Sequence, residues 1–126
     1  MKSILVDTDV LINFLRGRES AREFLAAAIG EADLCCSAVT VAEIHAGMKD
    51  HERERTEELL DSLTVVDVTR AVAEKAGAYK RTSRSQGLAL DDCLIAATAF
   101  VKQAVLATGN DKHYPMADVK KIVVAG

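Results

Sequence analysis

The sequence predicts an α/β fold, a mainly parallel central sheet flanked by helices. Three observations carry this. Short apolar runs rich in β-branched residues alternate with longer segments whose apolar residues fall at helical spacing. The short runs are continuous rather than alternating, as in strands covered on both faces. Several of them deliver a polar cluster directly after the last apolar residue, where open parallel sheets place their functional groups. With 126 residues the chain has material for one core. Residues 1–126 are therefore read as one domain.

The first run, Ile4-Leu5-Val6, leads straight into Asp7-Thr8-Asp9. Asp9 is the expected cap of a helix over 10–15. Asp7 sits at the lip of the crevice. It needs a further role only if other carboxylates arrive beside it. A second helix is expected over 20–29, with Phe24, Leu25 and Ala28 on one face and Gly30 as its stop. A strand over 33–37 follows, then a helix over 40–47 capped by Ser37 or Thr40. Ser37, Thr40 and Glu43 share one face of that helix or its lead-in. From Lys49 to Glu58 acids and bases alternate, which reads as a solvated helix face tied to the core by Leu59, Leu60 and Leu63. A third strand is expected over 64–68, with Thr69 capping a helix that reaches Thr82. After a loop at 85–87, an Ala-rich helix over 88–100 should be buried on most sides. Two acids, Asp91 and Asp92, stand in its first turn, where one would suffice for the dipole. A fourth strand over 104–108 delivers Gly109-Asn110-Asp111, and a strand over 121–124 closes the sheet.

Composition narrows the function. No apolar run is long enough to span a membrane. The start, Met1-Lys2 before a strand and an acid, is not a signal-peptide pattern, so the cytoplasm is the expected address. The three cysteines lack the spacing of a disulfide framework or a zinc site and read as small core hydrophobes. A net charge of -3 is not the footprint of a basic nucleic-acid module, although a local patch can still hold a backbone. The most one-signed stretch holds Lys75, Lys80, Arg81 and Arg84. These cations either answer a helix C-terminus or, for Lys80, Arg81 and Arg84, grip phosphates.

The chemistry rests on acids. Asp7 follows a strand, Glu43 lies in a helix after a strand, and Asp92 stands at a helix mouth. Asn110 or Asp111 is a fourth candidate. If these groups converge, like charges repel and raise one another's pKa. A hard dication resolves that conflict, and a carboxylate set suits Mg²⁺ or Mn²⁺ rather than Zn²⁺. The implied reaction is phosphodiester hydrolysis. The sequence has neither the Gly-rich phosphate loop of an NTPase nor a dinucleotide fingerprint.

Four stretches add a resemblance: Leu5-Val6-Asp7-Thr8-Asp9-Val10-Leu11-Ile12; Ser37 through Ile44 with Gly47; Asp92-Cys93-Leu94-Ile95-Ala96-Ala97-Thr98-Ala99; and Leu106 through Tyr114. In this order they resemble a PIN domain, in particular the VapC-type toxins of toxin–antitoxin pairs. The resemblance covers essentially the whole chain. It implies that Asp7, Glu43 and Asp92 are metal ligands and catalytic acids, with Thr8 and Thr108 supporting them; Thr40, on the face of Glu43, is expected to support them as well. It implies a Mg²⁺- or Mn²⁺-dependent endoribonuclease acting on structured RNA such as tRNA or rRNA. A small antitoxin as inhibitory partner and a homodimer are implied as well. Many members carry an acid at Asn110 or His113, and this chain has neither. Asn110 is therefore expected behind the ligands, tuning a metal or its water. Asp111 is expected to cap the next turn or reach the site through water. The competing readings are a non-catalytic α/β interaction module whose acids only cap helices, and a DNA or RNA-processing nuclease of the same fold.

Overall fold

The computed structural model describes residues 2–126. Five strands form one sheet: β1 (Lys2–Val6), β2 (Ala32–Ser37), β3 (Thr64–Val66), β4 (Val105–Thr108) and β5 (Lys121–Val123). Their order is β3-β2-β1-β4-β5, and every neighbouring pair runs parallel. Among the described residues six α-helices complete it: α1 (Thr8–Leu15), α2 (Glu19–Ala28), α3 (Ala38–Gly47), α4 (Arg53–Asp61), α5 (Arg70–Thr82) and α6 (Leu90–Lys102). This is the α/β architecture expected from the sequence.

The two-residue period of a strand sends neighbouring side chains to opposite faces. Ile4 and Val6 of β1, Cys36 of β2 and Ala107 of β4 pack with Val10, Leu11, Leu25, Ile44 and Leu59. Leu5, Cys35 and Leu106 pack on the other side with Val72, Ala76, Ile95 and Ala96. Both faces are covered, which is why the strands read as unbroken apolar runs. Helix α6 is Ala-rich because small side chains let it approach the sheet and α5 closely. Its Ala96, Ala97 and Ala99 are wholly buried. All three cysteines are buried and free. Burial pushes the Cys35 and Cys36 thiols up to about 11, so both are inert packing groups.

Several boundaries differ from the sequence reading. Helix α1 begins at Thr8, and Asp7 is its cap, accepting from the Thr8 N–H at 2.8 Å. The expected cap, Asp9, lies inside the first turn and serves another partner. Ser37 caps α3 by accepting from the Val39 N–H at 3.1 Å, which leaves Thr40 buried inside the helix. The charged run divides into a 3-10 turn, Asp50–Glu52, and α4. Glu52 Oε1 accepts from the Lys49 N–H at 2.8 Å and fixes that turn. Strand β3 stops at Val66, and Val68 lies beyond it, partly exposed. Thr69 caps α5 as expected, accepting from the Val72 N–H. Helix α6 starts at Leu90, because Leu88 turns into the core ahead of it.

The order of the strands positions the site. β1 pairs with β2 on one side and β4 on the other, so successive connections leave it in opposite directions. A crevice opens at the carboxyl ends of such a pair. Asp7 stands at the end of β1, and its N–H donates to the Ala107 carbonyl of β4 at 2.8 Å.

Candidate active site

The crevice between the ends of β1 and β4 is lined by Asp7, Thr8, Asp9, Ile12, Glu43, Ala89, Asp91, Asp92, Asn110 and His113. Five of these are carboxylates, brought from β1–α1, α3 and α6. All three acids singled out in the sequence are among them.

Asp7 is only 4% exposed. Its Oδ1 accepts from the Thr8 N–H and its Oδ2 from the Thr108 hydroxyl, each at 2.8 Å. Thr108 Oγ1 in turn accepts from the Asn110 N–H at 3.0 Å, so the end of β4 holds the acid at the end of β1. Glu43 reaches in from α3, and its Oε1 accepts from the Thr8 hydroxyl at 2.6 Å. The Thr40 hydroxyl lies 2.9 Å from the same Thr8 oxygen. Thr8, Thr40 and Thr108 are thus hydrogen-bonded behind or beside the acids. Asp92, in the first turn of α6, has the Tyr114 hydroxyl 3.3 Å from Oδ1 and His113 Nδ1 3.3 Å from Oδ2.

Asp9, Asp91 and His113 also line this cleft, and Gly109 and Tyr114 support it, although sequence reasoning assigned them other roles or none. Asp9 Oδ2 accepts from the Gly109 N–H at 2.9 Å and from Asn110 Nδ2 at 3.0 Å. Asp9 Oδ1 is buried and has no hydrogen-bond partner. Gly109 makes the approach possible, since a Cβ there would lie 2.6 Å from Asp9 Oδ2 and 3.1 Å from the Val124 carbonyl. Asp91 stands close enough to Glu43 in the cleft to help raise its pKa. Tyr114 is fully buried, with its hydroxyl against Asp7 and Asp92. His113 ends the 3-10 turn that follows β4. The signal for His113 was its place in the polar cluster after a strand. Asp9 and Asp91 were hidden by a capping role that fits each just as well.

Other candidates lie elsewhere. Asp111 pairs with Lys121 at 2.8 Å and does not line the cleft. Lys80 and Arg81 are in the last turn of α5, and Arg84 opens the 3-10 turn Arg84–Gln86. None of the three lines the cleft. Lys80 Nζ donates to the Leu88 carbonyl, just ahead of Ala89 at the cleft wall.

Burial first, and crowding second, raises the pKa values of Asp7, Glu43 and Asp92. Burial pushes Asp7 up to about 6, and the neighbouring Asp9 charge adds to it. Burial and the neighbouring Asp91 carboxyl push Glu43 up to about 7. Asp92 rises through burial and the nearby Asp91 charge. Among the described residues, no three His, Cys, Asp or Glu side chains are grouped so as to hold a metal ion. Each acid is instead drawn to a local partner: Glu43 to Thr8, Asp9 to Asn110, Asp92 to His113. The donor set nonetheless fits a hard dication. It is rich in carboxylate oxygen, Asp7 is buried as an acid, and Asp9 Oδ1 is a buried oxygen with no donor. Asp7, Asp9, Glu43, Asp91 and Asp92 are the residues that could hold one.

Comparison with known proteins agrees with this architecture. A family model for the PIN domain matches residues 4–121. Ribonuclease VapC10 of Mycobacterium tuberculosis is 43% identical over 120 residues, covering 94% of this chain and 90% of that protein. Ribonuclease VapC19 of the same organism is 34% identical over 115 residues, covering 89% and 92%. Among solved structures, FitAcB from Neisseria gonorrhoeae aligns with a TM-score of 0.79 at 28% identity, over 94% of this chain and 96% of that one. The chain belongs to the PIN domain family, and within it to the VapC type.

The raised pKa values make a prediction about the metal-free protein. A carboxyl that holds its proton longer when folded contributes stability at low pH, and that contribution is lost as pH rises through the folded value. Asp7 and Glu43 therefore cost stability between about pH 4 and 7, and the full cost is present above that. Asp92→Asn removes one of the repelling charges. In EDTA its Tm should exceed the wild-type value at pH 8, and the gap should shrink as pH falls to 5. A Tm below wild type at pH 8 would contradict this electrostatic picture.

Proposed function

We propose that this chain is a divalent-metal-dependent endoribonuclease, the toxin of a toxin–antitoxin pair, that cuts structured RNA. The observation that carries the reading is the convergence of Asp7, Glu43 and Asp92 from three elements into one cleft, in a chain 43% identical to a protein named a ribonuclease. Asp7, Glu43 and Asp92 would hold Mg²⁺ or Mn²⁺. Such an ion supplies a nucleophile from bound water and neutralises charge on the departing oxygen. The chain's own part is positioning. The Thr108 hydroxyl and the Thr8 N–H fix both oxygens of Asp7, and the Thr8 hydroxyl fixes Glu43. Asn110 acts through Asp9 rather than as a ligand itself. A non-catalytic module would have no use for buried, unpaired acid oxygen, so the nuclease reading is preferred to it.

RNA phosphates are assigned to Lys80 and Arg81, in the last turn of α5, and to Arg84 in the turn that follows it. The inhibitory partner is assigned to a groove next to the acids, lined by Ile12, Leu15, Ile44, Gly47, Met48 and Arg55 among others. A shallower extension holds Phe14 and Leu59. Leu25 is a core residue, and Phe14 and Phe24 both pack against the core; of the two, Phe14 is the one that lines this extension. FitAcB and a toxin–antitoxin complex from Klebsiella pneumoniae share this fold at 28% and 27% identity, in keeping with such a partner. A homodimer and a cytoplasmic location complete the reading. No described helix is long and apolar enough to cross a membrane.

Three experiments test it. Asp92→Asn should abolish cleavage of structured RNA in Mn²⁺ while circular dichroism remains that of the folded protein. Full activity in that variant removes the assignment. The triple Ala variant of Lys80, Arg81 and Arg84 should bind every RNA more weakly. If all three contact phosphate, the slope of log affinity against log salt should flatten by about 2. An unchanged slope returns the three cations to answering the α5 terminus. With the antitoxin bound, hydrogen exchange should slow along α1, α3 and α4. Protection confined to other elements rejects the groove.

A further inference from the structure

We propose that His113 supplies an imidazole nitrogen to the cation held at Asp92, and so biases the site from Mg²⁺ toward Mn²⁺. The inference rests on the divalent-cation reading of the cleft and adds a ligand of a different chemical type.

The two oxygens of Asp92 have different surroundings. Oδ1 faces the buried Tyr114 hydroxyl, and Oδ2 faces His113 Nδ1, each at 3.3 Å. The oxygen turned to the cleft and the ring nitrogen therefore stand side by side. Neighbouring ligands at right angles on an octahedral ion, each about 2.1 Å from it, are about 3 Å apart. The observed spacing is close to that, so one ion can meet both atoms with little movement.

The ring is also well supported. The His113 N–H donates to the Asn110 carbonyl at 2.9 Å. The next residue, Tyr114, is fully buried, and Asp111 at the head of the same turn is paired with Lys121. The turn is thus anchored before and after the ring, while the imidazole itself is half exposed at the cleft. The other two histidines do not line this cleft: His45 pairs with Glu57, and His51 is exposed in the turn before α4.

The consequence is selectivity. Mg²⁺ takes oxygen and holds its waters tightly. Carboxylates suit both Mg²⁺ and Mn²⁺, while imidazole favours first-row transition ions. A set of several carboxylates and one imidazole is therefore a Mn²⁺ set. The competing possibility is that His113 is only an ion-pair partner that balances Asp92.

The test uses Mn²⁺ as the probe. Electron spin echo modulation of the Mn²⁺-loaded wild type should show coupling to a directly bound nitrogen-14, and that coupling should vanish in His113→Gln and in His113→Asp. Titration calorimetry should show the preference for Mn²⁺ over Mg²⁺ falling by about tenfold in His113→Gln, the size of effect seen when groups around a metal are changed. His113→Asp should keep Mn²⁺ affinity and gain affinity for Mg²⁺. Wild-type Mn²⁺ binding without nitrogen coupling, or an unchanged preference in both variants, overturns the inference. In that outcome a loss of Mn²⁺ binding in Asp92→Asn still leaves the metal site of the proposed function standing. If wild type binds no Mn²⁺ at all, both fall.

Discussion

The fold meets its site at one buried carboxylate. Asp7 is almost wholly removed from water, and an acid there is costly unless hydrogen bonds or a counter-charge meet it. Two donors do so: the first N–H of α1 and the Thr108 hydroxyl at the end of β4. Both exist only if β1 and β4 are paired in register and α1 begins directly after the strand. The same residue is thus a helix cap, a link between the two halves of the sheet and the floor of the cleft. The remaining acids are arranged around this fixed point, and the raised pKa values of Asp7, Glu43 and Asp92 record first their burial and then the crowding.

Much of this was legible in the sequence because burial leaves a pattern. Continuous β-branched runs gave the strands, and their covered faces explain the pattern. The three acids read from the sequence line one cleft. What was not legible was partner choice. Asp9 looks like a helix cap, and a cap position does occur two residues earlier, so sequence spacing could not divide the work between Asp7 and Asp9. Only the close approach of Gly109 shows that Asp9 binds the β4 turn instead. Likewise Asn110 and Asp111 are adjacent and polar. Backbone geometry turns one toward Asp9 and the other toward Lys121. Tyr114 closes the fourth matching stretch, but no site role was legible, since a lone aromatic after a turn is ordinary core and its hydroxyl matters only through acids distant in sequence.

Stability and function pull against each other here. Packing alone would replace several of the cleft acids with neutral groups, since like charges at short range weaken the fold that holds them. Local partners soften the conflict one acid at a time. Thr8 satisfies Glu43, Asn110 satisfies part of Asp9, and His113 faces Asp92. None of these removes the excess negative charge of the cleft as a whole. That residual field attracts any cation able to enter, whether a free ion or a cationic side chain.

The neighbouring groove gives this last point a structural form. Ile12 and Glu43 line both the groove and the acidic cleft, so the two spaces are continuous. The groove has an apolar floor from Leu15, Ile44 and Met48 and a rim of mixed charge from Arg16, Lys49, Glu52 and Arg55. A chain segment that lies in it is led toward Glu43. On the proposed function, a basic side chain at that end would answer the same crowding that a dication answers, without offering water for attack. Inhibition would then need no change of fold, only competition between two kinds of positive charge for one cluster of oxygens.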